Sequence, residues 1–83
     1  MRAYPGAGDS IRIQMVRCGY TLETLSEKTM ISQAVLREIL TGRAKTISTR
    51  NICAMASAFD FSVADFIDLL SMPHSNITNS TSY

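Results

Sequence analysis

The sequence predicts an all-α fold, five short helices around one core. Three observations carry this. Apolar residues recur at helical spacing, as in Leu36, Ile39 and Leu40 and again in Ile52, Met55, Ala56 and Phe59. At 3.6 residues per turn each set shares one face. Start and stop signals bracket the runs, with oxygen-bearing side chains at Ser10, Thr21, Ser32, Ser48 and Ser62 and breakers at Gly19, Gly42 and Pro73. Side-chain oxygens accept from the orphan N–H groups of a first turn, and glycine closes a last turn left-handed. No stretch reads as a strand.

Taken in order, Met1 to Asp9 contains Pro5, Gly6 and Gly8 and reads as a flexible arm over residues 1–9. Asp9 or Ser10 caps a first helix to about Cys18, with Ile11, Met15 and Cys18 inward, Val16 beside them, and Arg12 and Arg17 solvated. Gly19 ends it. Thr21 caps a second helix over about Leu22 to Lys28, Thr29-Met30-Ile31 forms a turn, and Ser32 caps a third over Gln33 to Leu40. Gly42 stands just past its end, and Arg43 to Ile47 is a basic loop. Ser48 or Thr49 caps a fourth helix bearing the stripe Ile52, Met55, Ala56 and Phe59. Ser62 with Asp65 forms a capping pair for a fifth, which runs to about Ser71 with Phe66, Ile67 and Leu70 inward. Residues 10–71 thus form one domain, and the Ser, Asn and Thr-rich residues 72–83 read as a disordered polar tail.

Composition narrows the function. Eighty-three residues support a single small core. The longest apolar run is far below the ~20 residues that span a bilayer, and no secretory signal pattern opens the chain, so a cytoplasmic location is expected. Cys18 and Cys53 make neither a disulfide framework nor a zinc site and are expected as small buried hydrophobes. With one histidine, His74, and no nucleophile–base set, metal spacing or phosphate loop, no catalytic residue, cofactor or metal is expected. Net charge is +1, but residues 28–50 hold five cations (Lys28, Arg37, Arg43, Lys45, Arg50) against Glu38 alone. Residues 51–83 hold only Asp60, Asp65 and Asp68. Local sign governs how a surface meets phosphates.

The cationic stretch contains the third helix. Burying Leu36, Ile39 and Leu40 leaves Gln33, Ala34, Arg37 and Glu38 on the opposite face. Such a face can read a major groove. Gln pairs with adenine, Arg with guanine, Glu accepts from the cytosine amine, and an Ala methyl packs on thymine. Two capped helices with one apolar face each also occur in any small helical bundle, so spacing alone leaves both readings open.

The ordered set Leu22-Glu23-Thr24-Leu25-Ser26, Ile31-Ser32-Gln33, Leu36, Ile39, Thr41-Gly42-Arg43, Ile52, Met55-Ala56, Phe59, Phe61-Ser62 and Phe66 resembles the Cro/C1-type helix-turn-helix family, also called XRE. The resemblance covers roughly Ile11 to Leu70 and implies a lambda-repressor-like DNA-binding domain, its helix-turn-helix over about 21–42. It implies a sequence-specific transcriptional regulator, usually a repressor, of a phage, prophage or bacterium. The third helix would enter the major groove of double-stranded DNA. Thr21 and Leu22, at the N-terminus of the second helix, would face a phosphate, and Ser32, Arg43, Lys45 and Thr46 would grip others. The sequence departs from the family in three places. Met15 and Leu40 stand where some relatives pair Arg with Glu. Met30 stands where many have Gly or Asn, so a left-handed turn there costs ~1–2 kcal/mol. The loop after the third helix is one to two residues longer than in the shortest relatives.

Relatives commonly bind as two-fold dimers, so a homodimer is expected, joined through the last helix by Phe66, Leu69 and Leu70. The competing expectation is a protein-interaction module on the same fold, an antitoxin-like or anti-repressor partner. It rests on the low net charge, on Ala34 in place of a polar reader and on the acidic C-terminal third.

Overall fold

The computed structural model describes residues 2–44 and 46–71. Five helices form: α1 (Ala7–Cys18), α2 (Leu22–Thr29), α3 (Gln33–Leu40), α4 (Thr49–Ala58) and α5 (Val63–Ser71). Two short strands, β1 (Arg2–Ala3) and β2 (Thr46–Ile47), pair antiparallel, Arg2 opposite Ile47 and Ala3 opposite Thr46.

Local chemistry sets most boundaries. Thr21 Oγ1 accepts from Thr24 N at 3.1 Å, Ser32 Oγ from Val35 N at 3.2 Å, Ser48 Oγ from Asn51 N at 3.2 Å and Ser62 Oγ from Asp65 N at 3.1 Å. Each bond satisfies one orphan donor of a first turn. Gly19, at φ 71°, closes α1, and Tyr20 N donates back to Met15 O at 2.8 Å.

Among the described residues two non-glycine residues are left-handed, Asp60 after α4 and Met30 in the α2–α3 turn. Met30 adopts φ 62° and ψ 20°, left-handed for a residue with a Cβ, and is 89% exposed. Neighbouring bonds hold it there. Met30 N donates to Ser26 O at 2.9 Å, and Ser26 Oγ donates to Ile31 O at 2.6 Å. Thr29 Oγ1 donates to Leu25 O at 2.7 Å and accepts from Ile31 N at 3.2 Å. A rare backbone conformation persists where its surroundings over-determine it.

Six expectations need correction. Where a loose arm was expected over residues 1–9, Arg2–Ala3 pair with β2, Tyr4 is buried, and α1 begins at Ala7. Gly6, at φ 83°, starts that helix with no side-chain cap, so Asp9 and Ser10 lie inside it rather than before it. The 43–47 loop ends in a strand, and Ile47 joins the core. The inward face of α1 runs through Ala7, Ile11 and Gln14, while Met15 is partly buried and Cys18 and Val16 are exposed. Cys53 is exposed as well, because the α4 stripe turns it outward. Phe66 and Leu70, expected at a dimer interface, are 0% and 1% exposed inside the single chain. Of that trio only Leu69, half-buried, reaches the surface.

The core joins all five helices through Ile11, Leu25, Leu36, Met55, Phe66 and Leu70. α1 packs on α3 and α5, α2 on α3 and α4, and α4 on α5. Aromatic rings fill the α4–α5 side. Phe59 stacks on Tyr20 at 5.8 Å and meets Phe66 at 6.1 Å, and Phe61 meets Phe66 at 6.1 Å. The Tyr20 hydroxyl donates to Ala58 O at 2.9 Å, tying the entry of α2 to the end of α4. Tail residues 72–83 and Lys45 lie outside the described residues.

Candidate nucleic-acid interface

α3 is two-faced as its spacing demands. Leu36 and Ile39 are buried at 0% and 3% exposure. Gln33, Ala34, Val35, Arg37 and Glu38 are exposed. Among the described residues, the side chains of Gln33, Arg37 and Glu38 have no intramolecular hydrogen bond or ion pair. Their polar groups are free for an incoming partner, which is the condition for base reading.

The backbone of α3 is closed at its far end. Its last four carbonyls all accept a bond. Arg37 O takes Thr41 N at 2.9 Å, Glu38 O takes Ala44 N at 2.9 Å, and Ile39 O takes Gly42 N at 3.2 Å. Leu40 O takes Arg12 Nη2 at 3.3 Å, a tie from α1. Gly42, at φ 81°, makes the turn that brings Ala44 N back, a conformation glycine adopts without strain.

The expected phosphate contacts group at three places. Thr21 caps α2 with its oxygen, and the half-buried Leu22 anchors the same turn to the core. Glu23, exposed in that turn, sets a negative charge near the site. Ser32 caps α3 with one lone pair and keeps its hydroxyl hydrogen for a donor bond. Arg43 and Thr46 are exposed on the segment after α3.

Sequence reasoning missed two neighbours. Arg50 and Asn51, in the first turn of α4, line a groove of about 330 Å3 with Met30, Ser32 and Val35. Arg50 therefore belongs to the surface at the start of α3, although sequence alone counted it only as charge. Val35 is 41% exposed at the edge of the outward face of α3. Its position next to Ala34 was the available signal, and its apolar character pointed inward instead.

A family model described as helix-turn-helix matches residues 11–66. No curated protein and no solved structure matches the chain. Among the described residues no helix is long and apolar enough to cross a membrane. With two-thirds of its length spanned by the match and the capped α2–turn–α3 unit inside it, the chain belongs to the helix-turn-helix family of Cro/C1 type, XRE, a family of DNA-binding regulators rather than enzymes.

Proposed function

We propose that this protein is a sequence-specific regulator of transcription that reads the major groove of double-stranded DNA with α3. The observation that supports this most is the free polar face of Gln33, Arg37 and Glu38 beside Ala34, backed by buried Leu36 and Ile39. In this reading Gln33 pairs with adenine and Arg37 with guanine, Glu38 accepts from a cytosine amine, and the Ala34 methyl packs against thymine. The N-terminus of α2 at Thr21 and Leu22 faces one phosphate, and Ser32, Arg43, Lys45 and Thr46 hold others. Two copies bind half-sites about one turn, ~34–36 Å, apart. The regulator acts as a repressor in the cytoplasm of a bacterium, on chromosomal or prophage genes.

The test is selection from a random-duplex pool followed by titration of the winner. Gln33→Ala is expected to weaken binding to the selected duplex by ~1–3 kcal/mol and to relax preference at one base pair. Equal loss on random duplex shows that Gln33 positions the protein without reading.

A second reading, a protein-interaction module on this fold, draws support from three exposed apolar neighbours, Met30, Ala34 and Val35. Retention on random duplex at low salt separates the two. A module that binds only protein flows through.

A further inference from the structure

We infer that Gly8 and Arg12, both on α1, are positioning residues for the reading helix, an inference that rests on the DNA-binding role of α3 proposed above. The first turn of α1 is pressed against the last turn of α3. A Cβ built on Gly8 would stand 2.5 Å from Leu40 O and 3.0 Å from Ile39 O. Both neighbours are backbone atoms, so no side chain can swing aside to make room. Even a C–H···O contact requires about 3.3–3.6 Å between carbon and oxygen. The closeness of the two helices thus depends on the missing side chain.

Arg12 lies one turn further along α1 and completes the contact. Its guanidinium donates to Leu40 O at 3.3 Å. That carbonyl has no partner within its own helix, whereas the three before it are satisfied by Thr41, Gly42 and Ala44. A cation at this end also suits the negative pole of the α3 dipole. Gly8 sets how near α3 sits and Arg12 holds it there. Neither residue is on the exposed face of α3, so neither reads a base. They act through where Gln33, Ala34, Arg37 and Glu38 are presented, and such constellations tolerate displacements of only about 0.5 Å.

Alanine is the better helix former, so Gly8→Ala stabilises α1 unless the contact with α3 is real. The experiment titrates the full chain against its pool-selected duplex and against random duplex, at several salt concentrations. Wild type, Gly8→Ala, Arg12→Ala and Arg12→Lys are compared. In Gly8→Ala and Arg12→Ala the ratio of selected to random affinity is expected to fall about ten-fold, the effect of one misplaced base contact. Random-duplex affinity and salt slope stay at wild-type values, and Arg12→Lys recovers part of the ratio. A ratio unchanged in both alanine variants overturns the inference. A uniform loss with a shallower slope in Arg12→Ala makes Arg12 a phosphate contact and overturns its part. If Gly8→Ala does not fold, exposed Arg12 carries the titration. If wild type binds no duplex, the proposed function fails while the positioning claim is still tested. Amide chemical shifts over Gln33–Thr41 then move in the folded alanine variants, and unmoved shifts overturn it.

Discussion

Met30→Gly should stabilise this protein, against the usual expectation for removing an apolar side chain. Met30 sits at φ 62° and ψ 20° at the end of α2, where an L-residue with a Cβ is strained by ~1–2 kcal/mol. The side chain is 89% exposed, so little packing is lost with it. Glycine removes the strain but makes the unfolded chain more flexible, which costs about 0.4–1 kcal/mol. The net gain is ~0.5–1 kcal/mol, a rise in Tm of about 2–8 °C for a domain of this size. Met30→Ala is the control, because it removes the thioether and keeps the Cβ. It should stay within ~0.5 kcal/mol of wild type, as surface substitutions do. The assay is thermal and urea unfolding of the three proteins, followed by far-ultraviolet circular dichroism. If the glycine variant is no more stable than the alanine variant, the strain assigned to this turn does not exist. The bonds from Ser26 and Thr29 hold the turn in either case, so DNA affinity should not change.

Arg43→Ala with Lys45→Ala should weaken binding to every duplex and reduce the salt slope by about one unit for each lost phosphate contact, as read from affinity against salt concentration. Phe66→Ala should cost ~3–5 kcal/mol in urea unfolding, because it empties a fully buried site between the Phe59 and Phe61 rings. Leu69→Ala, at a half-buried position, should cost clearly less, and the reverse order would return Phe66 to the surface. Gln14→Met should raise stability by roughly 1–2 kcal/mol, read from the urea midpoint. Gln14 is 5% exposed, and among the described residues its amide has no hydrogen-bond partner, a costly arrangement that a thioether of similar shape avoids.

What could be read in the sequence was local. The caps at Thr21, Ser32, Ser48 and Ser62 depend on an oxygen and an N–H a few residues apart, and the stripe Ile52–Met55–Ala56–Phe59 depends on one helix period. The exposed face of α3 followed from the same period. What escaped was long-range. The β1–β2 ladder joins residues more than forty positions apart and is two residues long, too short for an alternating pattern. The start of α1 escaped because Gly6 uses backbone freedom where the visible candidates, Asp9 and Ser10, offered side chains. Cys18 is the last residue of α1, with Gly19 following, so no further turn covers it. The expectation of Phe66 at a dimer interface fails because a stripe shows which face turns inward but not how much the partners can enclose. Here the rings of Phe59 and Phe61 make room for it.

On the proposed reading, the two faces of α3 divide folding from recognition. Eight residues make little more than two turns, too few to be stable as an isolated helix in water. α3 is held by Leu36 and Ile39 in the core, by the Ser32 cap, and by partners for all four terminal carbonyls. None of these supports uses the side chains of Gln33, Ala34, Arg37 or Glu38. Substitutions on that face should therefore leave stability nearly unchanged, within ~0.5 kcal/mol, while altering which bases are preferred. Gly8 and Arg12 are the converse case in the inference above, since they stand off that face and contact the far end of α3. If α3 reads DNA as proposed, such a chain can acquire a new target sequence through its exposed face without rebuilding its core.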